Sequence, residues 1–371
     1  MTATTAEKKM SVRLRKILVE GYEQVWVIED ETVGLKAIVS IHSTSLGMAL
    51  GGTRIYPYST FDQALTDALR LSKGMTYKSA ISGVGYGGGK SVIIADPKTQ
   101  KTPALLRAFG QGVDMLKGLY ICAEDVGCSL EDVKIIHQST KYVVGLPHVK
   151  SSGDPGYYTA WGVFRGIQSS ANYLWKTSSL KGKKVLIQGL GNVGFYLLDY
   201  LFWHGAKILV SDIDQMKINK AVKRYSVEVV DPKDVYKTAC DVFSPCAMGG
   251  ILNDETLPQL QCKIISGAAN NQLLKDSHAK DLQNRGILYA PDFVVNAGGL
   301  LNVAAELDRE GYDPKKAQAR THNIFDALTA IYKISEKNSV STNQAAISLA
   351  DYRIKYGIGR RAEQPIFHHS I

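Results

Sequence analysis

The chain alternates between short apolar runs rich in β-branched residues and longer stretches whose apolar residues recur every three or four positions. Residues 35–41, Leu-Lys-Ala-Ile-Val-Ser-Ile, predict a strand. Over 62–73, Leu65, Ala68, Leu69 and Ser72 fall on one helical face. A further strand is predicted at 91–95, stopped by Asp96-Pro97, and a helix at 103–116 with Pro103 in its first turn. Ser151-Ser152-Gly153-Asp154-Pro155-Gly156 is the strongest linker candidate. After it, Ala160, Val163, Phe164, Ile167, Ala171 and Leu174 recur at helical spacing. A clean alternation follows: strand 184–188, helix 192–204, strand 207–211, then buried strands at 242–243, 264–265 and 288–289. This β-α-β order is that of a parallel, doubly wound sheet. From 315 onward the pattern is helical, with Ser341 or Thr342 capping the last long helix. The fold class expected is α/β in two domains. A mixed-sheet domain covers 1–150, completed by C-terminal helices over 335–371, and a doubly wound domain covers 151–334.

Composition narrows the class. At 371 residues, 45% hydrophobic and 21% charged, the chain has enough material for two globular cores. No apolar run is long enough to span a bilayer. Met1 to Met10 is polar, without the apolar region of a secretory signal. Arg13-Leu14-Arg15-Lys16 has transit-peptide character, but Glu7 and Glu20 flank it and an apolar strand follows. The five cysteines, Cys122, Cys128, Cys240, Cys246 and Cys262, form no close CxxC pair. That argues against a disulfide framework or a metal site and for reduced thiols in the cytoplasm. A net charge of +9 raises the question of nucleic acid. No basic block is interleaved with aromatics, so a solvated lysine surface is preferred.

Two segments carry candidate chemistry. Gly189-Leu190-Gly191-Asn192-Val193-Gly194 follows a predicted strand and opens a predicted helix, as a dinucleotide fingerprint requires. Gly189 permits the turn, Gly191 lets the backbone approach a pyrophosphate, and Gly194 lets helix and strand pack closely. Asp212, 21 residues beyond Gly191 and at the end of the next strand, suits adenine-ribose hydroxyls and would repel a 2′-phosphate. The expected cofactor is therefore NAD rather than NADP, a preference that nearby Lys217 and Lys220 soften. The second segment holds Lys78 and Lys90, the latter ending Gly87-Gly88-Gly89-Lys90. An ordinary lysine is a surface lysine. These two sit beside predicted buried structure, and neighbouring ammonium groups in a partly dry cleft depress each other's pKa toward neutrality. Asp125, after Leu119-Tyr120-Ile121, is either an acidic partner for them or a turn or N-cap aspartate.

Seven ordered motifs then stand out: Gly51-Gly52-Thr53-Arg54, Lys73-Gly74-Met75-Thr76-Tyr77-Lys78, Gly87 to Lys90, Ala123-Glu124-Asp125-Val126-Gly127, the fingerprint, Gly267-Ala268-Ala269-Asn270-Asn271-Gln272, and Ala290-Pro291-Asp292-Phe293-Val294-Val295-Asn296-Ala297-Gly298-Gly299. With them the chain resembles, over roughly 34–356, the amino-acid dehydrogenases of the glutamate/leucine/phenylalanine/valine superfamily, and within it the leucine dehydrogenases. The resemblance implies that the first domain binds the amino acid, the second is Rossmann-type and binds NAD, and the substrate lies between them. Lys78 then grips the α-carboxylate with help from Asn271. Lys90 activates the water that attacks the imino acid, and Asp125 exchanges protons with the amino nitrogen. Thr159, Asn192, Val193, Asn270 and Asn296 fall at the cofactor. The same resemblance implies a homo-oligomer and a reversible reaction giving a 2-oxo acid, ammonia and NADH.

Specificity follows from the side-chain pocket that the resemblance assigns to Leu50, Gly51, Met75, Ala123, Leu300 and Val303. Where the glutamate enzymes place a lysine against the substrate γ-carboxylate, this chain has Leu50. A γ-carboxylate left unpaired on an apolar wall costs roughly several kcal/mol. The expected substrates are leucine, valine and isoleucine. Phenylalanine or a broad apolar range is the alternative, as is a catalytically silent NAD-binding regulator. Leu300 stands where a valine is expected, which favours smaller substrates, and Asp154 where asparagine is more typical.

Overall fold

The computed structural model describes residues 11–146 and 151–368. The polar segment Met1 to Met10 lies outside the described residues. Strands β1 (Arg13–Ile17), β2 (Gln24–Asp30), β3 (Leu35–Ser43), β4 (Ala49–Tyr56), β5 (Gly87–Ile94) and β6 (Tyr120–Ala123) form a six-stranded sheet in the order β1-β2-β3-β5-β4-β6. The first four in that order pair antiparallel, whereas β4 pairs parallel with β5 and β6. The sheet is mixed, as expected. Arg13 to Ile17, with its run of cations, is an edge strand of it.

Helix α1 (Phe61–Ser82) crosses one face; α2 (Pro103–Met115) and α3 (Leu130–His137) cover the other. Two expectations change here. The helix predicted over 62–73 continues through Gly74 for about two and a half further turns and ends at Gly83, whose φ of +67° forms a left-handed cap. A helical glycine costs only about 1 kcal/mol, which tertiary packing readily outweighs. The glycine run, in turn, is strand rather than a lead-in to one. A Cβ on Gly88 would fall 2.1 Å from Thr76 Oγ1 and 2.2 Å from the Thr76 nitrogen. The missing side chains let α1 rest directly on β5 backbone, and this close approach brings Lys78 toward Lys90.

The second domain begins with α4 (Gly156–Trp175), directly after the predicted linker. The linker is pinned rather than loose: the Ser152 N–H donates to Glu306 at 2.6 Å, and Asn302 Nδ2 donates to the Ser152 carbonyl at 2.9 Å. There follow β7 (Lys184–Gln188), α5 (Asn192–Trp203), β8 (Lys207–Ser211), α6 (Gln215–Arg224), β9 (Val227–Val229), β10 (Val242–Pro245), β11 (Ile264–Ile265), α7 (His278–Asn284) and β12 (Leu288–Tyr289). The sheet is parallel throughout, in the order β12-β11-β10-β7-β8-β9. This is the Rossmann arrangement, with its topological switch between β7 and β10 beside the fingerprint.

Helices α8 (Asp292–Val295), α9 (Gly298–Ala304), α10 (Pro314–His322), α11 (Ile324–Asn338) and α12 (Thr342–Tyr356) complete the chain. Ser341 caps α12, accepting from the Gln344 N–H at 3.2 Å. Residue 334 lies inside α11, which packs on α4, while α12 packs on both α1 and α11. Arg353 of α12 donates to the Ala80 and Ile81 carbonyls at the end of α1, at 2.9 and 2.7 Å. The C-terminal helices thus join the two domains behind the cleft. Their apolar residues share one core cluster with Leu46, Ala80 and Ile81 of the first domain. No described helix is long and apolar enough to cross a membrane.

Candidate active site

The mixed sheet places its chemistry at the cleft end of β4, β5 and β6. Lys90 sits on the central strand β5, paired with Ser40 of β3 and 4% exposed. Gly51 and Gly52 of β4 pair with Cys122 and Ala123 of β6, so the chain leaving β6 carries Asp125 across to Lys90. Lys90 Nζ and Asp125 Oδ2 are 2.9 Å apart. Gly52 leaves the room: a Cβ there would lie 2.9 Å from Asp125 Cβ and 3.3 Å from Lys90 Nζ. Asp125 is therefore an acidic partner and not a helix cap, since Ser129 caps α3.

Arg54 makes a second claim on Asp125. Its Nε is 3.1 Å from Asp125 Oδ2, while its Nη1 is 2.8 Å from Asp67, which also accepts from the Tyr58 hydroxyl at 2.5 Å. Burial would raise the Asp125 pKa, but Lys90 and Arg54 outweigh it and hold the carboxyl below its ordinary range. Beside it, Glu124 is pushed up to about 7, first by burial and then by Asp154 and Asp125. Sequence reasoning treated Arg54 and Glu124 only as motif residues. The signal for Arg54 was the alternation of β4, which puts Arg54 and Gly52 on the same face.

Lys78 projects from α1 into the same cavity. Burial lowers its pKa to about 8; Asp292 opposes that shift and Lys90 adds to it. For Lys78 the expected depression is present, with burial rather than the neighbouring ammonium as its main cause. Lys78 forms no ion pair among the described residues.

Lys78, Lys90, Glu124 and Asp125 line one cavity of about 480 Å³ between the domains, whereas Arg54 lines the cavity next to it. Its apolar wall is Leu50, Met75, Ala123, Leu300 and Val303, with Gly51 alongside. Its second-domain wall includes Val193, Thr159, Asn270 and Asn296. Asn271 lies apart from Lys78, in an adjoining cavity of about 950 Å³ that Asn270 shares.

The fingerprint suits a dinucleotide. Gly189 has φ +97°, and a Cβ on Gly194 would come within 2.0 Å of the Gly189 carbonyl oxygen. Around Gly191 nothing lies within 4 Å of where a Cβ would be, leaving open space above the N-terminus of α5. Asp212, at the end of β8, accepts the Leu190 N–H at 2.6 Å and the Asp214 N–H at 2.8 Å. It thereby ties the glycine turn to the neighbouring loop. Asn192 Nδ2 donates to both Asp154 oxygens, at 2.7 and 2.8 Å, linking the fingerprint to the start of α4. At the inner end, Asn296 Nδ2 donates to Asn270 Oδ1 at 2.7 Å, and its own Oδ1 is buried without a partner among the described residues. An unused acceptor there matches the N–H of a nicotinamide carboxamide. The residues present thus fit a nicotinamide dinucleotide along its length.

Residues 23–142 match the family model described as Glu/Leu/Phe/Val dehydrogenase, dimerisation domain. Residues 210–356 match that described as Glutamate/Leucine/Phenylalanine/Valine dehydrogenase. The chain is 46% identical over 354 residues to a leucine dehydrogenase of Geobacillus stearothermophilus, covering 94% of this chain and 95% of the relative. It is 48% identical over 335 residues to an L-tryptophan dehydrogenase of Nostoc punctiforme, covering 90% and 94%. The crystal structure of L-tryptophan dehydrogenase from Nostoc punctiforme superposes with a TM-score of 0.80 at 46% identity, covering 91% of this chain and 97% of that one.

Proposed function

The chain belongs to the Glu/Leu/Phe/Val dehydrogenase family and is an amino-acid dehydrogenase; on that premise we propose that it oxidatively deaminates branched-chain L-amino acids with NAD. The products are the 2-oxo acid, ammonia and NADH, and the reaction runs in both directions. The observation that carries the substrate class is the cavity itself. Lys78, Lys90 and Asp125 share it with an aliphatic wall of Leu50, Met75, Ala123, Leu300 and Val303.

In this reading Lys78 binds the substrate carboxylate, with Asn271 meeting it from the facing wall when the cleft narrows. That grip points the Cα hydrogen at the second domain, where the bound nicotinamide supplies the hydride acceptor. Asp125, held ionised by Lys90 and Arg54, takes a proton from the substrate amino group. Lys90, once its ammonium has released a proton to solvent and become the neutral amine, takes a proton from the water that attacks the imino carbon, and the exclusion of other water protects the intermediate. Leu50 offers no partner for a γ-carboxylate, which places glutamate behind aliphatic substrates.

Asp212 at the end of β8 supports NAD over NADP. In the proposed division of labour, 1–150 with the C-terminal helices binds substrate and 151–334 binds cofactor. The "dimerisation" in the first family description supports a homo-oligomer. Five free cysteines, most of them buried, suit a reducing cytoplasm.

The identity to an L-tryptophan dehydrogenase favours an aromatic substrate as the second reading. NADH formation with leucine, valine, isoleucine, phenylalanine, tryptophan, alanine and glutamate separates the two. Faster turnover of the aliphatic set is expected. Preference for an aromatic substrate would replace the branched-chain assignment. No turnover, in a folded protein that binds NADH, would leave a silent NAD-binding regulator.

A further inference from the structure

Asp292 opens α8 and is 8% exposed. Both of its carboxylate oxygens accept backbone N–H groups, Oδ2 from Gln272 at 2.8 Å and Oδ1 from Phe293 at 2.6 Å. The Gln272 side chain closes the same loop by donating to the Gly267 and Ala269 carbonyls, at 2.8 and 3.0 Å. Asn271 immediately precedes this anchored N–H and stands at φ +53°, the left-handed region that side chains other than glycine adopt at a cost. The anchor on Gln272 fixes the turn that Asn271 occupies on the wall of the adjoining cavity.

The other side of Asp292 faces the first domain. Helix α1 packs against α8, with the rings of Tyr77 and Phe293 6.5 Å apart, so Lys78 and Asp292 flank the same contact. Asp292 opposes the lowering of the Lys78 pKa by burial, yet the two form no ion pair within 4 Å. A carboxylate bonded directly to Lys78 would compete with a substrate carboxylate. One whose oxygens are already held by backbone N–H groups favours the ammonium without capturing it.

We propose that Asp292 is a positioning residue for the substrate carboxylate. It holds Asn271 in its left-handed turn on one wall and supplies the negative charge that faces Lys78 on the other. The inference rests on the assignment of Lys78 and Asn271 as carboxylate ligands.

The test compares wild type with Asp292→Asn by steady-state kinetics between pH 7 and 10. The KM for the amino acid should rise about tenfold or more, with the KM for NAD changed by less than about twofold. The pH above which the amino-acid KM climbs should also fall, because Lys78 has lost the larger of the two carboxylate charges that favour its protonated form, Asp125 being the other and Lys90 opposing both. An unchanged amino-acid KM would overturn the proposal, as would equal rises in both constants with no displacement in pH. Asp292→Glu keeps the charge and lengthens its reach, so it serves if Asp292→Asn does not fold. Its amino-acid KM should rise while the pH of the climb stays in place; a displaced pH or an unchanged KM would count against the role. If wild type itself oxidises no amino acid, the functional reading fails before this one is reached.

Discussion

Lys90 and Asp125 meet at 2.9 Å across a gap that only Gly52 leaves open, with Arg54 bonded to the same carboxylate oxygen at 3.1 Å. The two cations outweigh burial and hold this carboxyl below its ordinary pKa range. It can accept a proton during reaction and pass it on without being protonated beforehand. In the proposed reaction the pair couples two proton transfers at neighbouring atoms, as deamination requires.

Gly88 is a test of how that geometry is built. Alanine there would force α1 away from β5 at Thr76, where contacts of 2.1 and 2.2 Å leave no room. Gly88→Ala should destabilise the protein by about 1–3 kcal/mol, as overpacking does, and lower turnover by displacing Lys78. Urea midpoints and kcat measured together check this. An unchanged midpoint would mean that the close approach of helix and strand is not needed.

Asp212 holds Leu190 and is assigned to the ribose. Asp212→Ala should raise the KM for NAD and narrow its preference over NADP by about tenfold or more, the value of a lost charged contact. An unchanged ratio of the two kcat/KM values would remove Asp212 from the ribose site.

Glu124 offers a pH prediction. Its pKa of about 7 lies above the ordinary glutamate value of 4.5, so the folded state holds its proton more tightly than the unfolded chain does. Folding stability should fall as pH rises through that interval and level off above it. Asp154→Asn removes one of the carboxylates responsible, so the variant should lose less stability than wild type between pH 5 and 7.5. Equal losses in denaturant titrations would show that Asp154 does not act on Glu124.

Much of the second domain was legible because each strand there is bounded by its own punctuation. The strands at Lys184–Gln188 and Lys207–Ser211 appear where periodicity put them, and Gly189 makes the turn and Gly194 the close packing that their spacing implied. Punctuation misled in the first domain. Gly74 looked like a helix end and Gly87 to Gly89 like a preamble to a strand, yet both lie inside regular elements. There the glycines answer to a neighbouring element rather than to the local backbone. The short edge strand Arg13–Ile17 was hidden by its exposure, which removes the apolar signal. Asp292 was quoted within a motif but given no role. The role proposed for it arises only when α8 meets α1, more than two hundred residues earlier in the chain, a contact no local pattern announces.

The most direct measurement pairs leucine-dependent NADH formation with NADH binding in wild type and Lys90→Ala. Removing a proton-transfer group should lower kcat by about 10²–10⁴-fold or more while NADH affinity stays within about twofold. Retained turnover, or loss of NADH binding in a folded variant, would contradict the assignment of Lys90 to the chemistry of deamination.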